Sequence, residues 1–172
     1  APTFTNTGII AVSTGTTRQS TRAFTNSGTL RGAGIINIGA GNTLTNTGTI
    51  APAGTGTAGT LSLTGNLALG STGTLALDLG GTAAGQSDKL AVTGNVTIAG
   101  TVSGDTINGY LPANAEFIPF LTATGTRSGV FAVENVYVGF AAGYSLAAGE
   151  AARLIYSGNA KAFTNAVGGL TW

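Results

Sequence analysis

The sequence contains no cysteine, no histidine and no methionine, and only 8% of its 172 residues are charged. Without cysteine there is no disulfide framework and no thiolate chemistry. Without either Cys or His, the common nucleophilic triads and most zinc sites are excluded. The net charge is +1, from seven basic and six acidic residues. Arg18, Arg22 and Arg31 come nearest to a basic cluster, but they lack the interleaved aromatics of a nucleic-acid surface and read as a solvated edge. No run of 18 strongly apolar residues occurs, so no membrane-spanning helix is expected. The chain opens Ala1-Pro2-Thr3 rather than with Met. That fits the mature side of a signal-peptide cleavage or a piece of a longer protein.

What the chain has instead is glycine, 29 in all, together with much threonine, alanine and asparagine, on a background that is 42% hydrophobic. Glycine loses much backbone entropy in a helix and threonine is stiff at χ1, so this mixture favours short strands and tight turns. The expectation is an all-β fold.

A period is visible in the residues themselves. Phe4-Thr5-Asn6-Thr7-Gly8 recurs as Phe24-Thr25-Asn26-Ser27-Gly28 and as Leu44-Thr45-Asn46-Thr47-Gly48, without a gap. Thr64-Gly65-Asn66 continues at the same interval in weaker form. Leu61-Ser62-Leu63-Thr64-Gly65-Asn66-Leu67 returns later as Leu90-Ala91-Val92-Thr93-Gly94-Asn95-Val96. Repeats of about twenty residues are the signature of a solenoid. At ~3.3 Å per residue and ~4.8 Å between strands, such a repeat makes three short strands and three corners, then starts again one layer up.

Equivalent residues then stack. Phe4, Phe24 and Leu44 form an inward apolar column. Asn6, Asn26, Asn46 and Asn66 form an asparagine ladder. Gly8, Gly28 and Gly48 sit at a corner that needs either an unusual φ or a close backbone approach. From Leu61 onward, period-2 alternation (Leu61/Leu63, Leu75/Leu77/Leu79, Leu90/Val92, Val96/Ile98) marks half-buried strands, with Gly80 to Ser87 as a small-residue loop that lengthens one coil. Residues 1–104 therefore read as solenoid coils.

Residues 105–157 have a different texture. Most of the aromatics lie beyond residue 104, and Asn108-Gly109 is a turn signal. Open solenoid ends expose sheet edges, and an irregular β cap with a hairpin is a common remedy. The run Ala141 to Ala152 is compatible with a short helix, against which its two glycines count.

The last stretch, 158–172, copies the first coils. Lys161-Ala162-Phe163-Thr164-Asn165 repeats Arg22-Ala23-Phe24-Thr25-Asn26. Phe163, Thr164, Asn165, Leu170 and Trp172 are therefore candidates for a detached solenoid strand. It either returns in cis or pairs with the open edge of another copy, which would build a head-to-tail homopolymer.

The phrases running from Phe24 to Gly54, from Gly59 to Gly81 and from Ser87 to Val102 resemble the passenger repeats of autotransporter and filamentous-haemagglutinin-like bacterial adhesins. The resemblance extends to about Phe131. It implies a right-handed parallel β-solenoid, export, an extracellular or cell-surface location, and a role in adhesion or matrix. It also implies partners among cell-surface or matrix components. The chain departs from that family in showing no recognisable membrane β-barrel.

Chemistry has little to work with. The six acids, Asp78, Asp88, Asp105, Glu116, Glu134 and Glu150, are dispersed along the chain. A carboxylate pair from Asp78 and Asp88 across a loop is the one arrangement with catalytic precedent, and Asp88-Lys89 reads more simply as a turn with a local ion pair. Gly80-Gly81 begins a calcium-binding repeat and does not complete it. Thr5/Thr7 and Thr45/Thr47 resemble an ice-binding face, but Thr25/Ser27 and Gly65/Leu67 break the array. No cofactor is expected, and the sequence points to a non-catalytic structural subunit, with a ligand-binding adhesin passenger as the alternative.

Overall fold

The computed structural model describes residues 3–144 and 149–158. Its strands fall into successive coils of three. The first coil holds β1 (Phe4–Asn6), β2 (Ile9–Ala11) and β3 (Thr17–Gln19), and the second β4 (Phe24–Asn26), β5 (Thr29–Gly32) and β6 (Ile35–Asn37). The third has β7 (Thr43–Asn46), β8 (Thr49–Pro52) and β9 (Thr60–Thr64); the fourth has β10 (Asn66–Leu69), β11 (Thr74–Leu79) and β12 (Lys89–Thr93). The fifth has β13 (Val96–Ile98), β14 (Thr101–Thr106) and β15 (Phe117–Ala123). The sixth begins with β16 (Arg127–Gly129) and β17 (Val133–Val136), then turns into β18 (Phe140–Gly143) and β19 (Glu150–Tyr156).

Every third strand joins the same sheet. Sheet A runs β1-β4-β7-β10-β13-β16, sheet B β2-β5-β8-β11-β14-β17, and sheet C β3-β6-β9-β12-β15-β19-β18. All pairings are parallel except β15 with β19 and β18 with β19. This is a right-handed parallel β-solenoid, the hand that parallel crossovers adopt, with a less regular C-terminal region.

The core is a set of vertical columns. Leu30, Ile50, Leu75 and Val102 stand in register in sheet B, each fully buried. Leu61, Leu90 and Leu121 do the same in sheet C. Alternation along each strand sends one residue inward and the next to solvent, as in the buried-intermediate alternation of β11. Each buried Leu or Ile contributes roughly 1.5–3 kcal/mol relative to exposure, so the columns are the main favourable term holding the layers together.

Parallel stacking continues past residue 104 through β17. Antiparallel pairing begins only with the β18–β19 hairpin, which lies on β15 where a parallel sixth-coil strand would otherwise go. Both segments at the ends of the run Ala141 to Ala152 are strands rather than helix, and Ser145 to Ala148 lie outside the described residues. Gly149, at φ +88°, starts the return. Among the described residues no helix is long and apolar enough to cross a membrane.

Candidate functional site

Phe4 pairs with Phe24 and Phe24 with Leu44 across sheet A. The two rings meet edge to face at 5.0 Å. At the end of these strands, Asn6 Nδ2 donates to Asn26 Oδ1 (2.7 Å) and Asn26 Nδ2 donates to Asn46 Oδ1 (2.6 Å). The same amides bridge their own corners, donating to the carbonyls of Gly8 (3.1 Å), Gly28 (3.2 Å) and Gly48 (2.9 Å). Only an amide carries donor and acceptor on one rigid group, so Asp could not continue the chain of bonds. All three asparagines are buried, which makes a broken rung expensive.

The corner glycines are set by close approach. None of Gly8, Gly28 and Gly48 has a positive φ. A Cβ on Gly28 would lie 2.1 Å from the Gly8 carbonyl oxygen, and one on Gly48 would lie 2.1 Å from that of Gly28. A Cβ on Gly8 would meet nothing within 4 Å.

Asn66 does not extend this ladder. It pairs with Thr43, and the residue above Asn46 is Leu69. The cause is the unequal length of the third coil's connections. A seven-residue turn separates β8 from β9, whereas Gly65 alone separates β9 from β10, so equal spacing in sequence no longer means equal height and position. Asn66 instead founds a second stack at the sheet C to sheet A corner. Its Oδ1 accepts the Asn95 N–H (2.9 Å), and Asn95 Oδ1 accepts the Thr126 N–H (2.8 Å). The repeated Thr-Gly-Asn phrase was the signal for it.

The acidic residues gather more than their spacing implies. Asp78 and Asp105 are in register on adjacent strands of sheet B. With Asp88, Asn135 and Tyr137 they line an open groove of about 660 Å³. Asp88 is buried, and its carboxylate accepts the N–H of Gly59 (2.9 Å) and of Asp78 (3.0 Å). Burial pushes its pKa up to about 7, against the downward pull of those two N–H groups. Both oxygens are thus engaged, one tying the third coil to the fourth and the other bracing the loop of the fourth coil itself. The expected Asp88–Lys89 ion pair is not formed; the ion pair among the described residues joins Arg153 to Glu150. No group of three potential metal ligands occurs among the described residues.

The two ends of the rod differ. At the C-terminal end, Phe140 packs against the Tyr156 ring at 5.2 Å, and Arg153 lies 4.4 Å from the Phe117 ring centre. Burial, and then the hydrogen bond its hydroxyl donates to Glu116 (2.7 Å), push the pKa of Tyr110 up to about 12. The intervening turn carries Asn108 and Gly109 at positive φ, as the Asn-Gly signal implies. At the N-terminal end, β1, β2 and β3 are sheet edges. Ile9 is 65% exposed there, and a cavity of about 100 Å³ opens between Phe4, Arg18, Phe24 and Ile36. Phe163, Thr164, Asn165, Leu170 and Trp172 lie outside the described residues. Comparison with protein-family models, curated proteins and solved structures gives no match.

Proposed function

We propose that this chain is a non-catalytic structural subunit, a β-solenoid rod that self-associates into a filament or matrix outside the bacterial cell. The observation that carries this reading is the pair of unlike ends. In-register layers build one continuous core; among the described residues, sheet C finishes in an antiparallel hairpin at one end, whereas at the other all three sheets finish in the parallel edges β1, β2 and β3. Unpaired edges recruit further strands, and unlike ends give head-to-tail growth. The low charge and the stacking of Asn and Gly support a role spent on layer formation. Electron microscopy of the full-length protein tests it. Fibres with an axial repeat of roughly 30 Å, six layers at ~4.8 Å, are expected; a dispersed monomer at all concentrations would refute it.

A second reading, a ligand-binding adhesin passenger, is favoured by the groove bearing Asp78, Asp105, Asn135 and Tyr137. It predicts retention of a polar surface ligand such as a glycan, lost on Asp105→Ala and Tyr137→Ala. Those substitutions leave fibres untouched if the first reading holds.

A further inference from the structure

Three features of the first coil are those of an inner layer rather than an end. Asn26 and Asn46 each use Oδ1 to accept an amide from the coil below. Asn6 Oδ1, among the described residues, accepts only the N–H of its own Gly8 (3.2 Å). Gly28 and Gly48 lack a side chain where a carbonyl of the layer beneath presses against them; Gly8 lacks one too, and that space is open. The cavity beside Phe4 is lined by Phe24 and Ile36, which are buried core residues of the second coil. Sheet A is thus prepared for one more strand of the form Phe-Thr-Asn.

Sheet C is not. Arg18 stands in the inward column in register with Ile36, where higher coils carry Leu63 and Val92. Its guanidinium lies 5.5 Å from the Phe4 ring centre and remains at the open end. Another complete coil would bury that charge in an apolar column without a partner, which the loss of its hydration opposes. A short strand confined to sheet A would not. The vacancy therefore has the length of a single strand.

We propose that residues Phe163, Thr164 and Asn165 of a second copy fill it, pairing parallel to β1 with Phe163 against Phe4 and Asn165 Nδ2 donating to Asn6 Oδ1. This rests on the filament reading above and names its joint. The source is intermolecular for a reason of reach. Ser157 is held against Gly139 beside the hairpin, and β19 lies five strand spacings from β3 in sheet C, about 24 Å. The layer beneath β1 is about 5 Å farther. Five residues from Gly158 to Phe163 extend at most about 18 Å. The chain cannot reach its own first coil, whereas the tail of a copy stacked below would leave from the end that faces it.

The absence of cysteine makes the test direct. In the full chain carrying Thr5→Cys and Thr164→Cys, oxidation should give a ladder of covalent dimers, trimers and higher species. Cross-linked monomer alone, or no cross-linking, would overturn the proposal. A second measurement uses full-length Phe163→Asp as receptor and a synthetic peptide of residues 159–172 as donor. The peptide should bind one to one, and Gly8→Val in the receptor should weaken binding at least about ten-fold while leaving its melting temperature unchanged, because the added side chain meets only open space. Equal binding with and without Gly8→Val, or no binding at all, would overturn the joint. Fibres that persist in Phe163→Asp would keep the filament reading and discard this strand; no fibres from the unaltered protein would discard the filament reading itself.

Discussion

The first three coils and the next three share the same sheets yet keep their layers aligned by different means. In sheets A and B of the lower half, equivalent residues are twenty apart, and the Asn6–Asn26–Asn46 ladder and the Gly8–Gly28–Gly48 corner repeat with them. In the upper half the spacing grows to 29 and then 31 residues, with loops between sheets B and C absorbing the excess. The apolar column of sheet B crosses from the lower half into the upper, from Leu30 through Ile50 and Leu75 to Val102, and ends at Glu134 in the sixth coil. Inward apolar packing is therefore what defines a layer, and the ladder is a local device that tightens the sheet A to sheet B corners of the first three coils.

The contrast can be broken most sharply at the glycine corner. Gly28→Ala places a Cβ against backbone that cannot withdraw, and should destabilise the fold by about 3 kcal/mol in urea denaturation. Gly8→Ala, chemically the same change one layer lower, should cost under about 0.5 kcal/mol. Equal effects would mean that the corner does not depend on stacking.

Removing the middle rung comes next. Asn26→Ala strands the buried Asn6 amide and Asn46 carbonyl oxygen, and a loss of about 2 kcal/mol is expected. Asn95→Ala in the upper stack, whose bonds are exposed, should cost under about 1 kcal/mol. Comparable losses would make the two stacks equivalent.

A pH dependence sharpens the junction between the halves. Asp88 keeps its proton in the folded state up to about pH 7, whereas an unfolded carboxyl with its ordinary value near 3.8 has released it. The folded state thus binds more protons across that interval, so stability should decline as pH rises from about 4 to about 7 and then level off. Glu116 is held below its ordinary value by the Ala113 N–H and the Tyr110 hydroxyl, so its contribution is lost only at more acidic pH and has the opposite sign. Asp88→Asn should flatten the slope between pH 5 and 7 in melting experiments. A slope that survives would assign it to another group.

Much of this architecture was legible in the residues. The recurrence of Phe-Thr-Asn-x-Gly identified the solenoid, the apolar column and the first three asparagine rungs, because a coil without insertions converts sequence spacing directly into height. The Asn-Gly turn was legible for local reasons, and the change of texture beyond residue 104 announced a less regular C-terminal region, but the hairpin itself falls on the run Ala141 to Ala152 that suggested a short helix. The fate of Asn66 was not, since two changes of turn length act on its register in opposite directions and neither has a side-chain signature. Nor was the burial of Asp88, which depends on Gly59 from the coil below lying beside Asp78 from its own.

The amino-acid order by itself determined that the chain is all-β, that it winds into repeating coils, and which small residues occupy the corners of the lower half. Tertiary structure alone decided where the parallel run ends, that the acids meet on one face, and which sheet carries the antiparallel hairpin. The physical reason is that short-range repetition encodes a layer, whereas the alignment of layers after an insertion is chosen by whichever apolar side chains the completed core can bury.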